Sequence, residues 1–164
     1  MGTSRSNALE VGPGLGRNCY ELVKSFPAIQ SITVVEPSRR FLSNFRRILI
    51  DGEECQFSYI KSINEIGCFN FDASSIASSC AHVDFTLVEE PFVSGLVRES
   101  FSVVTCLNVL DQCESPTILV DALKAATAQD GVLFLSCSYQ WSKKNLKKKV
   151  KPLMTSMNIS VITG

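Results

Sequence analysis

The chain has 164 residues, 45% hydrophobic and 20% charged, with sixteen basic and sixteen acidic side chains. That length suits one domain around one core. A formal net charge of zero gives no reason to expect nucleic acid or an anionic membrane as a partner, and no apolar run is long enough to span a bilayer.

From the start, a polar leader over 1–7 gives way to a short buried-strand candidate, Ala8-Leu9-Glu10-Val11, ended by Gly12-Pro13-Gly14-Leu15-Gly16. Arg17 to Phe26 reads as a helix with Cys19, Tyr20, Val23 and Phe26 on one face, closed by Pro27. Ser31 to Glu36 is a β-branched strand, and Ser38 to Ile50 a helix with Phe41, Leu42, Phe45, Ile48 and Leu49 at helical spacing. From Glu53 to Ala81 the composition turns to Ser, Cys, Asn and scattered aromatics, which predicts a short helix or loop with a small strand at Phe57–Ile60. Val83–Val88 and Phe101–Leu107 are further strands. Thr117–Ala128 is a helix capped by Ser115 with Pro116 in its first turn. Asp130-Gly131 predicts a turn into a strand, Val132–Cys137, followed by a Lys-rich helix over 143–151 and a strand candidate at Ile159–Ile162.

Strands alternating with helices, the strands continuously apolar, predict a doubly wound, mostly parallel α/β sheet covered on both faces. The expected division is a flexible leader, 1–7, and a single domain, 8–164. Ligands of such sheets bind beyond the carboxyl ends of the strands, where strand order reverses.

The chemistry concentrates there. Three glycines, Gly12, Gly14 and Gly16, sit between a predicted strand and a predicted helix, where backbone can turn tightly and a ligand can approach the main chain. Glu36 ends the next strand, twenty residues beyond Gly16, and a carboxylate there can accept from both hydroxyls of a ribose. The simpler alternative is a tight turn plus an exposed glutamate. The spacing is G-x-G-x-G, whereas a dinucleotide site wants G-x-G-x-x-G, and Arg17 stands one position past the third glycine.

"EVGPGLG" followed by "VVEPS" resembles motif I and its partner strand in the class I S-adenosylmethionine-dependent methyltransferases. The resemblance runs from about Ala8 through Cys137 and implies a Rossmann-like sheet with S-adenosylmethionine as cofactor. It implies that Glu10, Gly12, Gly14 and Gly16 frame the methionine part, that Glu36 holds the ribose, and that Glu89 or Glu90 neighbours the adenine. Leu107, Asn108 and Asp111 would face cofactor and acceptor, with Asn108 and Asp111 the catalytic candidates and Asp111 the nearest base. For Asp111 a capping or turn role is the competing interpretation.

A narrower resemblance lies in "CLNVLDQCESPTILVDALK" and "LSCSYQW", which are similar to stretches of the ovothiol-type mercaptohistidine N-methyltransferases and the related protein-histidine N-methyltransferases. Gln112 stands where those families often have Arg, and Cys137 also departs from their pattern. This resemblance implies N-methylation of a small molecule or a histidine-type imidazole, with Tyr139 and Trp141 lining the acceptor pocket. A complete domain of this class has two more strands after the fifth, whereas twenty-seven residues follow Cys137, so a sheet shortened at its C-terminal strands is expected, with the chain alone binding cofactor weakly or not at all. A catalytically inactive methyltransferase-fold binding protein, or fragment, is the main alternative, and an NAD-dependent enzyme a more distant one.

The remaining signals are bland. Seven cysteines without CxxC spacing fit reduced thiols in a cytoplasmic protein, with Cys106 and Cys137 as core residues. His82, the only histidine, has no motif around it, and no metal is expected. The Lys-rich run reads as a solvated helix face, or alternatively a phosphate-, RNA- or membrane-contacting patch.

Overall fold

A computed structural model describes residues 6–140 apart from 94, 98 and 99. The expected Lys-rich helix, the strand candidate Ile159–Ile162 and the site candidate Trp141 lie outside the described residues.

Five strands form one parallel sheet: β1 (Ser6–Val11), β2 (Ile29–Val35), β5 (Asp84–Val88), β6 (Phe101–Leu107) and β7 (Thr127–Ser136), in the order β5-β2-β1-β6-β7. Ser6 and Asn7, expected in the leader, are the first residues of β1, and Asn7 is tied to β6 through Ser102 N–H, which donates to its Oδ1 at 3.1 Å. The order reverses between β1 and β6, so a crevice for a ligand opens at the carboxyl ends of these two strands.

The strands are buried on both sides, and successive side chains feed opposite cores. Ala8, Ile32, Val34 and Val103 pack with Cys19, Leu22 and Val23 of α1 (Arg17–Ser25) and with Leu42, Phe45, Ile48 and Leu49 of α2 (Arg39–Leu49). Leu9, Val11, Val35, Val104 and Cys106 pack with Leu119, Val120, Leu123 and Ala126 of α4 (Pro116–Ala126). The expected apolar stripe of α1 shifts: Leu22 takes the buried place, while Phe26, past the helix end, is 44% exposed. Ser38 caps α2, its hydroxyl accepting from Phe41 N–H at 3.5 Å.

The segment 53–81 departs most from expectation. It forms an antiparallel hairpin, β3 (Glu54–Ser62) with β4 (Glu65–Asp72), and then a short helix α3 (Ser74–Cys80). Cys55, Phe57 and Tyr59 stand opposite Phe71, Phe69 and Gly67, which makes one face of the hairpin aromatic. The Phe57 ring lies 5.7 Å from that of Phe69 and 6.5 Å from that of Phe71. The other face is polar, with Gln56 donating to Asn70 at 3.3 Å.

The turn expected at Asp130-Gly131 is instead inside β7, where the pairing with β6 slips between Phe101 and Val103. A Cβ on Gly131 would stand 2.8 Å from the Phe101 carbonyl oxygen, so the glycine marks a close backbone approach rather than a reversal. All seven cysteines are free; Cys106 is buried and Cys137 half-buried, and His82 is exposed. Among the described residues no helix is long and apolar enough to cross a membrane, and no cluster of His, Cys, Asp and Glu could hold a metal ion.

Candidate cofactor site at the carboxyl edge of the sheet

The glycine turn leaves β1 at the centre of the sheet. Gly12 N–H donates to Val35 O at 3.0 Å, and Glu36 N–H donates to Val88 O at 3.1 Å. These bonds set Gly12, Glu36 and Glu89 side by side at three adjacent strand ends, β1, β2 and β5. Glu36 therefore adjoins the glycine turn.

The three glycines meet different surroundings. A Cβ on Gly12 would fall 2.4 Å from Val109 Cγ2, so this residue lets the loop after β6 close against the turn. Gly16 begins α1 at φ 93°, and its missing Cβ leaves room for Leu49 and Phe45 of α2. Gly14 has φ +58° and nothing within 4 Å of where a Cβ would stand. Its backbone is open to an approaching ligand.

Glu10 underlies this turn. It is 1% exposed, and its Oε2 accepts from Asn18 Nδ2 of α1 at 2.6 Å and from the Thr105 hydroxyl of β6. Burial pushes the Glu10 carboxyl up to about 7, against the lowering effect of the Thr105 and Asn18 donors. Its side chain thus joins β1, α1 and β6 beneath the glycine loop. Neither partner was singled out from the sequence, although Thr105 stands directly across from Glu10 in the parallel register.

Glu36 is 8% exposed, and its Oε1 accepts from Ser38 N–H at 2.8 Å. The bond fixes the carboxylate at the end of β2, while Oε2 has no hydrogen-bond partner among the described residues. Glu89 and Glu90 follow β5 and are both exposed.

On the other side of the crevice, Leu107 ends β6 and Asn108 turns the chain at φ 58°, a left-handed conformation that Asn tolerates better than most side chains. Asn108 N–H donates to Ser136 O at 3.1 Å, and the Ser136 hydroxyl donates to Asn108 Oδ1 at 3.1 Å, so the ends of β6 and β7 are clasped. Asp111 is 1% exposed; its Oδ2 accepts from the Ser138 hydroxyl at 2.6 Å and from Gln140 N–H at 2.7 Å. Burial would raise the Asp111 carboxyl, but these two donors, together with the backbone N–H of Asp111 itself, outweigh it and hold the group below the ordinary aspartate range. Such a carboxylate is a weak proton acceptor and a strong anchor for the segment after β7. Tyr139, between the two anchoring residues, has φ 58° and is 57% exposed.

The arrangement fits a ribose-bearing ligand: an open backbone at Gly14, a fixed carboxylate at Glu36, and the Asn108 loop facing them across the reversal of strand order.

The fold recurs in solved structures. The plantazolicin methyltransferase BpumL, solved with a triazolic desmethylPZN analog and SAH, superposes with a TM-score of 0.51 at 12% identity, over 79% of this chain and 38% of that one. An S-adenosyl-L-homocysteine complex of a SAM-dependent methyltransferase from Thiobacillus denitrificans gives 0.52 at 11% identity, over 80% and 42%. The corresponding enzyme from Geobacter sulfurreducens gives 0.52 at 10% identity, over 79% and 41%. The chain thus spans roughly two-fifths of the length of these structures, and at such identities the likeness is one of fold. No curated protein matches the sequence. The family described as "Methyltransferase domain" does match it, over residues 2–151, and the chain belongs to that family.

Proposed function

We propose that the chain is an S-adenosylmethionine-dependent methyltransferase that methylates a nitrogen of a small molecule or a histidine-type imidazole. The observation that carries the cofactor half of this reading is the adjacency of the glycine turn and Glu36, fixed by the 3.0 Å bond from Gly12 N–H to Val35 O. Similar folds solved with S-adenosylhomocysteine support it. The acceptor half rests on the sequence likeness of the segments 106–124 and 135–141 to the imidazole N-methyltransferases.

When bound, S-adenosylmethionine supplies an electrophilic methyl group on a sulfonium. The protein's part is placement. Gly14 admits a ligand to the main chain, and the free edge of the Glu36 carboxylate accepts from the sugar hydroxyls. Glu89 and Glu90 stand at the neighbouring strand end, on the adenine side. Asn108 and Leu107 border the acceptor side, and Asp111, through Ser138 and Gln140, presents Tyr139 there. A neutral imidazole nitrogen attacks with its own lone pair, so alignment rather than proton removal sets the rate. Asp111 accordingly acts as a positioning residue.

Calorimetric titration of the chain with S-adenosylhomocysteine tests the cofactor assignment. Saturable binding that Glu36→Gln weakens by about tenfold is expected, the scale of a lost charge-assisted hydrogen bond. Absence of binding by both proteins, each shown folded by circular dichroism, would overturn it. Transfer of a labelled methyl group to mercaptohistidine or a histidine peptide, and not to lysine or carboxylate peptides, tests the acceptor.

A further inference from the structure

The outer half of the β3–β4 hairpin is uncovered. Its base rests on the domain through Cys55, which is buried, and through Phe57 and Phe71, which pack against the core. Across 58–70 every residue except Gly67 is exposed, and neither strand pairs with the main sheet. A two-stranded hairpin with neither face covered is marginal in water. This one also changes character along its length. The face that is polar at the base, with Gln56 and Asn70, turns apolar near the tip, where Ile60 stands opposite Ile66. Ile60, Ile63 and Ile66 are 83%, 98% and 74% exposed. Together they present about 450 Å² of apolar surface, the size of patch that marks an interaction site.

Charge argues against an anionic surface as the occupant. Lys61 and Glu65 are the only charged side chains of the tip, and they pair at 2.6 Å. The tip is neutral as a whole and offers no net attraction to phosphate.

What the tip fits lies at the base of the arm. A cavity of about 490 Å³ opens between the start of α1, the end of α2 and the aromatic face of the hairpin. Its surface is almost wholly apolar, with Leu15, Tyr20, Leu49, Phe57, Phe69 and Ile76 in its walls. Gly16 lines it too, so the cavity adjoins the cofactor turn. Three isoleucine side chains occupy about 300 Å³ at interior packing density, which this volume holds. A tip is remote from the cavity of its own chain, at the far end of strands nine and eight residues long. Two arms laid antiparallel about a twofold axis put each tip at the base of the other.

We propose that the hairpin is a dimerisation arm: two copies of the chain associate about a twofold axis, and the Ile60, Ile63 and Ile66 tip of each seats in the apolar cavity of the other. Two such seats, tip and wall together, bury roughly 1,500 Å², within the range of stable interfaces. The association is independent of which acceptor the chain methylates.

Sedimentation velocity of the full chain between about 1 and about 100 µM tests the proposal, with a concentration-dependent shift from monomer to dimer expected. Ile63→Asp lies at a 98% exposed turn position, so the fold should survive, as circular dichroism would check. It should weaken dimerisation by about tenfold or more, as loss of an interface anchor does. Raising the concentration of the wild-type chain should slow amide hydrogen exchange both in the tip, 60–66, and in the cavity wall, 15–20, and should do neither in Ile63→Asp. The proposal is overturned if the chain stays monomeric throughout, if Ile63→Asp dimerises as tightly as wild type, or if the tip alone gains protection, which would mean that tip meets tip. Co-sedimentation of a monomeric chain with phosphatidylcholine vesicles, lost in Ile63→Asp, would make the occupant a membrane and overturn it as well.

Discussion

Replacement of Glu10 by glutamine exposes a cost built into the centre of the sheet. The carboxyl titrates near 7 in the folded chain against a reference of 4.5, because burial disfavours its ionised form. In the unfolded chain it ionises at the lower value. Stability from this group is therefore fully present below about pH 4.5, and is lost as pH rises through about 7. A difference of some two and a half units corresponds to about 3 kcal/mol in all, most of it falling between about pH 5 and pH 8. The Glu10→Gln side chain keeps an oxygen to accept from Asn18 and Thr105 but has no proton to lose. Urea unfolding of both proteins across that interval is the assay. The wild-type chain should lose about 2–3 kcal/mol more than the variant on going from acid to mildly alkaline buffer. Titrating groups that do not face Glu10 contribute equally to both proteins and drop out of the difference. Parallel stability curves for the two proteins would refute the reasoning, since they would mean that the carboxyl is no harder to ionise in the folded state.

Three further outcomes are expected. Gly16→Ala should destabilise the fold by about 2 kcal/mol or more in thermal melts, because it forces both a left-handed alanine and an atom 2.4 Å from Leu49 Cδ1. Gly14→Ala, which meets no neighbouring atom, should cost only about 1 kcal/mol of stability yet reduce S-adenosylhomocysteine affinity by a larger factor in titration. Asp111→Asn should loosen the segment after β7, with about 1 kcal/mol lost in unfolding and faster amide hydrogen exchange at Gln140, while the pH dependence of methyl transfer stays unchanged.

The parallel sheet was legible because its strands are short, β-branched and apolar on both faces; Phe101–Leu107 was bounded to the residue. The glycine turn and Glu36 were legible because their spacing follows directly from a strand–turn–helix–strand unit. The hairpin was not. Its turn, Ile63-Asn64, lacks the Asn-Gly or Asp-Gly signal, and Ile60 and Ile66 put apolar residues on its polar side near the tip, where they are 83% and 74% exposed. The alternation of Phe57 and Tyr59 with Ser58 gave away part of β3, but β4 with its Gly67 reads as loop. The end of α4 was placed too late because Thr127 and Ala128 continue a helical composition, and only pairing with Phe101 draws them into β7. In the site, the separate duties of Glu10 and Asp111 were hidden because a carboxylate's partners depend on neighbours that are distant in sequence: Thr105 for the first, Ser138 for the second.

The three glycines of the turn meet three different surroundings. Gly12 is held by the bulk of Val109 and Gly16 by that of Phe45 and Leu49, whereas only Gly14 faces open space. A descendant that had abandoned its ligand would still be obliged to retain the outer two in order to fold. The middle position is therefore the informative one when degenerate copies of such a motif are sorted into those that still carry a nucleoside and those that have kept only the architecture.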